Sequence, residues 1–129
     1  YPILAASEAL WRDEAHVETA RAHYRRNFDL AEEILNGRFG FYRPAGGFFL
    51  WLDVGDGEAA AKKLWQAAAV RTLPGAFLCP REDATPYGSP YLRLALVHDP
   101  DEVAEGLIRL RAALSPPREG LLASIRNLK

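Results

Sequence analysis

Three short segments of this chain have the composition of β-strands, and amphipathic segments typical of helices lie between and around them. The strand segments cover residues 48–54, 70–73 and 91–97. Three strands are too few to bury their own apolar side chains, so helices packed against the sheet must complete the core. The sequence therefore predicts an α+β fold: a small, mostly antiparallel three-stranded sheet with helices packed on one face.

Two helices are predicted around the first strand segment. The first begins at Asp13, whose side chain can cap it, and ends at Asn36, which tolerates the left-handed conformation of a helix end. Its apolar stripe comprises Val17, Ala20, Tyr24, Phe28, Ala31 and Leu35. The second helix covers residues 58–69, with Asp56 as its cap. Its stripe comprises Ala61, Leu64, Trp65 and Ala68.

The last helix has the clearest start and stop signals. Asp99 can cap it, Pro100 suits its first position, and Glu102 can complete a capping box with Asp99. Its apolar stripe comprises Val103, Leu107, Leu110 and Leu114. The Ser-Pro-Pro sequence at residues 115–117 then ends it.

The strand segments and a turn give three further expectations. Residues 48–54 are apolar on both alternating faces, which predicts a strand covered on both sides. Residues 91–97 alternate, which places their leucines, Leu92, Leu94 and Leu96, on one face. Pro74-Gly75 predicts a type II turn, because this turn takes Pro and Gly at its two central positions.

Composition excludes several classes of function. The 129 residues suffice for one domain, and a net charge of −1 argues against a nucleic-acid or anionic-membrane surface. No apolar run approaches the roughly 20 residues of a membrane span. The single cysteine, Cys79, permits no internal disulfide and indicates a reducing, cytoplasmic location. The three histidines, His16, His23 and His98, lack metal-site spacing, so no metal is expected.

Arg93 is the one residue that an ordinary core strand does not explain. It lies in the middle of the third strand segment, on the face opposite the leucines. A charged group placed there must reach solvent, an acidic partner or a ligand carboxylate. A guanidinium presents parallel N–H donors that match a carboxylate, so Arg93 is the candidate substrate-binding residue. The alternative is an edge-strand arginine that lies over solvent or pairs with Asp53 or Glu82.

Four segments together resemble the C-terminal small domain of class I/II aminotransferases, which are pyridoxal-phosphate enzymes of fold type I. Residues 44–53, with Pro-Ala-Gly-Gly before an aromatic strand, resemble the family's small-domain strand. Residues 70–77, around Pro74-Gly75, and the closing helix over residues 103–114 also resemble it. Residues 88–96 resemble the segment whose arginine grips the substrate's α-carboxylate. The four segments follow the family's order over residues 13–114.

The resemblance implies an enzyme that transfers an amino group between an amino acid and a 2-oxo acid, normally as a homodimer. It implies that Arg93 orients the small-molecule substrate by its α-carboxylate. Pyridoxal 5'-phosphate would be held by a large domain, because the only lysines here, Lys62, Lys63 and Lys129, lack the sequence setting of the family's cofactor lysine. We therefore expect no catalytic and no cofactor-binding residue in this chain, and no transamination by the 129 residues alone.

The resemblance also divides the chain and suggests a subfamily. Residues 1–12 would be the end of the large domain or an interdomain helix, residues 13–115 the small domain, and residues 116–129 a tail with the spacing of a short helix. A chain that starts at Tyr1 and contains no Met is expected to be a piece of a longer polypeptide. The Pro-Gly turn and the loop before Arg93 are most similar to N-succinyldiaminopimelate and aspartate aminotransferases.

Two other readings of the sequence stay open. The chain could be a non-catalytic α+β module that binds an amino acid or oxo acid through Arg93. It could also be an interaction domain. A freestanding module should be a clean monomer or dimer, whereas a severed domain should expose apolar surface and self-associate.

Overall fold

A computed structural model of the chain describes residues 2–80 and 86–115. In chain order the elements are α1 (Pro2–Arg12), α2 (Ala15–Leu35), β1 (Phe49–Asp53), α3 (Gly57–Ala68), β2 (Leu73–Pro74), β3 (Tyr91–Ala95) and α4 (Pro100–Leu114). Short 3₁₀ turns cover Arg38–Gly40 and Gly75–Leu78. None of the described helices is both long and apolar enough to cross a membrane.

The three strands form one antiparallel sheet in the order β1-β3-β2. β3 is therefore the central strand, with Leu92 opposite Leu52 on one side and opposite Pro74 on the other. Helices α2, α3 and α4 pack on one face of this sheet, and α2 lies against α4. The α+β fold and the sheet predicted from the sequence are confirmed.

The core lies between this sheet face and the helices. Its buried apolar side chains are Phe28, Ala31, Leu35, Leu50, Leu52, Ala60, Leu64, Leu92, Leu94, Leu96, Val103, Leu107 and Leu110. The stripes predicted for α2 and α4 supply most of the helical members. In α3 the buried stripe is Ala60 and Leu64, whereas Trp65, which was expected in the stripe, is exposed.

β1 is covered on one side only, so the expectation of a strand buried on both faces is wrong. Leu50 and Leu52 face the helices and are buried, but Trp51 is 36 % exposed on the opposite face. None of the described α-helices packs over that side. The aromatic composition that predicted a second covering layer instead produces an exposed apolar sheet face, called here the open face.

The type II turn expected at Pro74-Gly75 does not form, so this expectation is wrong. Gly75 does not adopt a positive φ, which a type II turn requires at its third residue, and it begins a 3₁₀ turn instead. Glycine is needed there for space. A Cβ on Gly75 would lie 2.4 Å from the carbonyl oxygen of Gly88 and 3.0 Å from the Trp51 ring.

Of the three predicted helix caps, only that of Asp56 forms, where the side chain accepts a hydrogen bond from the Ala59 amide. At the start of α2 the cap residue is Glu14, whose side chain makes no cap hydrogen bond, and Asp13, one residue earlier, accepts a hydrogen bond of 2.9 Å from the Ala15 amide. The Asp99 side chain makes no cap hydrogen bond, and the expected capping box is absent. The carboxylate of Glu102 instead lies 3.3 Å from the His98 ring.

Helix α1 stands apart from this core. It contributes no buried residue, and its apolar side chains Ile3, Leu4, Leu10 and Trp11 are all exposed. It ends at Arg12. The division of the chain at residue 12, and the role of residues 1–12 as the end of a large domain or an interdomain helix, stay predictions. The proposed tail, residues 116–129, lies outside the described residues.

Candidate functional site

The open face is formed by alternate residues of β1 and β3 with one residue of β2. Strand alternation places on it the side chains of Phe49, Trp51, Asp53, Leu73, Tyr91, Arg93 and Ala95. Trp51 and Tyr91 meet edge to face, with 6.3 Å between ring centroids, and each keeps more than a third of its surface exposed. The face is thus an aromatic surface that contains one basic and one acidic side chain.

Arg93 occupies the middle of this face. In the sheet register it lies opposite Trp51 of β1 and opposite Leu73 of β2, so apolar side chains flank it on both sides. Its guanidinium carbon lies 3.8 Å from the centroid of the Phe49 ring. Arg93 is half-buried. A central position with these neighbours excludes the edge-strand alternative.

Arg93 makes no hydrogen bond or ion pair with any residue in 2–80 or 86–115. Asp53, which the sequence offered as its partner, instead accepts a hydrogen bond of 3.1 Å from the Gly55 amide. The other partner considered, Glu82, lies outside the described residues. Among the residues described, the donors of Arg93 are therefore free to meet an external acceptor.

Arg43, in contrast to Arg93, is paired with carboxylates of the chain itself. Its Nη1 lies 2.7 Å from Asp29 Oδ1 and 3.1 Å from Glu32 Oε2, and Nη2 donates to the Arg25 carbonyl. The hydrogen bond to Asp29, with a smaller contribution from Glu32, raises the pKa of the Arg43 guanidinium above its usual range. Arg43 thus ties the segment before β1 to α2.

An open groove of about 710 Å³ begins at the Asp53 end of the open face. Four of its ten lining residues are aromatic, and the full set is Gly40, Tyr42, Trp51, Asp53, Gly75, Leu78, Cys79, Tyr87, Gly88 and Tyr91. The close backbone contact of Gly75 with Gly88 allows the two loops to meet beneath it, since a Cβ on Gly88 would lie 2.4 Å from the Gly75 carbonyl oxygen. Trp51 and Tyr91 belong to both the groove and the open face.

The residues that the structure describes do not fit a pyridoxal phosphate site. The cofactor needs a lysine for its aldehyde, but Lys62 and Lys63 are exposed on α3, in the helix layer on the other side of the sheet from Arg93. Lys129 lies outside the described residues. His16, on α2, and His98, just before α4, are exposed and each lie within 4 Å of a carboxylate, and His23 lies near the Val97 carbonyl. None of the three belongs to the open face.

Two residues that the sequence did not single out shape the site. Phe49 could have been suspected, because it lies two residues before Trp51 in an aromatic strand, but its contact with Arg93 depends on the β1–β3 register. Asn27 is fully buried and donates hydrogen bonds to the carbonyl oxygens of Leu96 and His98, just beyond β3. Asn27 could have been recognised in the sequence as a polar residue within the apolar stripe of α2, between Tyr24 and Ala31.

The chain is similar to solved structures of aminotransferases. It is 35% identical to an aminotransferase from Neisseria meningitidis Z2491, with a TM-score of 0.82 over 88% of this chain and 30% of that one. It is 34% identical to aminotransferase AspB from Helicobacter pylori 26695, with a TM-score of 0.71 over 83% and 27% of the two chains. For LysN, an α-aminoadipate aminotransferase from Thermus thermophilus, the identity is 27% and the TM-score 0.67, over 91% and 30%.

These matches confirm the resemblance to aminotransferases that the sequence motifs predicted. The chain is similar in sequence and in fold to part of such an enzyme, and it spans about 30% of the length of the Neisseria aminotransferase. No protein-family model matches the chain, and no curated protein sequence does. The resemblance to the N-succinyldiaminopimelate subfamily stays a prediction.

Proposed function

We propose that this chain is the small domain of a pyridoxal-phosphate-dependent aminotransferase, and that Arg93 binds the α-carboxylate of its amino acid or 2-oxo acid substrate. The observation that carries the proposal is the position and the surroundings of Arg93. It is a half-buried arginine at the centre of an exposed sheet face, flanked by Trp51 and Leu73, with no anionic partner among the described residues. A binding site for a carboxylate needs this combination of charge, partial desolvation and free donors.

The chemistry of such a contact follows from the guanidinium. Its parallel N–H groups donate to the oxygens of one carboxylate, which fixes the orientation of the bound molecule as well as its position. Trp51 and Leu73 lie opposite Arg93 in the sheet, and the guanidinium is partly removed from water, which strengthens the charge-assisted hydrogen bonds that it can make. A substrate held by its α-carboxylate presents its Cα–H bond in one direction, which lowers the entropic part of the barrier.

The cofactor and the remaining machinery would come from outside these residues. Pyridoxal phosphate, when bound, serves as the electron sink for the α-carbon chemistry. In the proposed enzyme it is held by a large domain, in a homodimer, and the small domain brings Arg93 to the substrate. A cytoplasmic location and a substrate of the N-succinyldiaminopimelate or aspartate type belong to the same proposal, on the strength of the single cysteine and the motif resemblance.

A visible absorption spectrum of the polypeptide from the complete reading frame around this chain tests the proposal. We expect a yellow band that borohydride bleaches and that responds to added amino acid, and no turnover by the 129 residues alone. A colourless polypeptide that ignores added pyridoxal phosphate would instead favour the non-catalytic module, with Arg93 as its carboxylate-binding residue. Turnover by the isolated chain would contradict the expectation that the cofactor is held by a separate large domain.

A further inference from the structure

Within the described part of the chain, the Arg93 guanidinium contacts an aromatic ring, that of Phe49, and no carboxylate. Phe49 pairs with Ala95 in the β1–β3 ladder, two residues from Arg93, and such diagonal neighbours lie within reach of an aromatic side chain. The guanidinium carbon lies 3.8 Å from the ring centroid, which is the distance of direct contact with the face of the ring. A cation in this position is attracted by the negative face of the aromatic ring.

This mode of support leaves the hydrogen-bond donors of Arg93 without an acceptor among residues 2–80 and 86–115. A guanidinium that lies over a ring directs its N–H groups outward in its own plane, where a carboxylate can accept from them. A carboxylate neighbour would occupy those donors and compete with an incoming anion, as Asp29 and Glu32 occupy the donors of Arg43. The two arginines therefore differ in their partners. Arg43 donates to two carboxylates, whereas Arg93 contacts a ring and has no acceptor among the described residues.

Phe49 is itself fixed from the helix side of the sheet. Its ring centroid lies 4.3 Å from that of Phe48, and the Phe48 ring stacks on Tyr24 of α2 at 5.5 Å and 26°. β1 is an edge strand, and these rings form a series of contacts around that edge from α2 to Arg93, stacked between Tyr24 and Phe48 and tilted by 39° between Phe48 and Phe49. Half-buried rings in mutual contact have little freedom to move away from the guanidinium.

We infer that Phe49 is a positioning residue for carboxylate binding: it holds the Arg93 guanidinium in the orientation that receives the substrate, without occupying the donors. This inference rests on the proposed function of Arg93. It predicts that the ring contributes to the affinity for anionic ligands and not to the affinity for uncharged ligands of the same shape.

The test uses the polypeptide from the complete reading frame and two matched competitive ligands, 3-phenylpropanoate and its uncharged amide, 3-phenylpropanamide. Phe49→Leu should weaken the inhibition by the carboxylate about 2- to 30-fold, the range expected from a lost cation–π contact. The same variant should leave the inhibition by the amide unchanged within about twofold. Phe49→Tyr keeps a ring and should restore the affinity for the carboxylate. Trp65→Leu, which removes the ring beneath Arg71, is the matched control and should change neither constant.

The outcomes separate this inference from the proposed function. If Arg93→Gln weakens carboxylate inhibition and Phe49→Leu does not, Phe49 has no positioning role. If Phe49→Leu weakens both ligands equally, or Phe49→Tyr fails to restore the affinity, its role is structural and the inference is wrong. If Arg93→Gln itself leaves carboxylate inhibition unchanged, the proposed function fails first. Phe49→Leu should also add nothing in the Arg93→Gln background, because the two residues act on one interaction.

Discussion

The side-chain amide of Asn27 donates a hydrogen bond of 2.9 Å to the backbone carbonyl of Leu96, which links the middle of α2 to the chain just beyond β3. The same nitrogen lies 3.0 Å from the His98 carbonyl oxygen, so one buried side chain satisfies two backbone acceptors. Those acceptors would otherwise lack partners after the sheet ladder ends. Asn27 therefore holds the end of the strand that carries Arg93 against the helix layer.

Replacement of Asn27 by Leu should lower the free energy of unfolding by about 1–3 kcal/mol, because it leaves the buried Leu96 carbonyl and the part-buried His98 carbonyl without a donor. Urea denaturation of the polypeptide, followed by tryptophan fluorescence, measures the change. The exposed Gln66 of α3 provides a control, since Gln66→Leu removes a side-chain amide that makes no such contact. Equal stability of Asn27→Leu and the parent protein would show that these hydrogen bonds contribute nothing.

Ala69 is strained at the end of α3. It adopts a left-handed conformation, with φ 54° and ψ 32°, which costs any residue with a Cβ more than it costs glycine. Ala69→Gly should therefore stabilise the fold by about 0.5–1 kcal/mol. Its neighbour Ala68 still lies within the helix, so Ala68→Gly should destabilise it by about the same amount. Thermal denaturation of the two variants should give shifts of opposite sign; shifts of the same sign would refute the assignment of strain to Ala69.

Gly57 and Gly106 provide a second pair of opposite predictions. A Cβ on Gly57 would lie 2.3 Å from the Tyr91 carbonyl oxygen, so α3 could not approach β3 as closely. Gly57→Ala should destabilise the fold by about 1–3 kcal/mol or more. Gly106 lies within α4 with nothing near its absent Cβ, so Gly106→Ala should stabilise the helix by about 0.5–1 kcal/mol. Urea denaturation of both variants checks the pair, and a neutral Gly57→Ala would contradict the tight packing of α3 on β3.

The sequence predicted those helices and strands whose residue pattern and end residues determine them locally. The apolar stripe of α4 and Pro100 at its start determine that helix, and the alternation of Leu92 and Leu94 determines the buried face of β3. The strand order has no local signal in the sequence, because it depends on contacts between segments that are far apart in the chain. For that reason the sequence identified Arg93 as unusual but left open whether it lay at an edge.

The candidate site was predictable in its central residue and not in its surroundings. The support of Arg93 by Phe49 requires the β1–β3 register, which only the assembled sheet defines. The need for glycine at residue 75 likewise comes from a contact with Gly88, thirteen residues later in the chain, rather than from its own backbone angles. Interactions between distant segments explain most of what the sequence did not predict.

The most direct measurement of the central claim is the effect of Arg93→Gln on the catalytic efficiency of the polypeptide from the complete reading frame. We predict that kcat/KM for an amino acid substrate falls about 30- to 1000-fold, the range for a lost charge-assisted hydrogen-bond pair to a carboxylate. Arg93→Lys keeps the charge but not the paired donors and should give an intermediate loss. Arg109→Gln, which changes an arginine paired with Glu105 on the surface of α4, is the control and should change kcat/KM little. An Arg93→Gln variant that retains the parent kcat/KM, with Arg109→Gln equally active, would contradict the account.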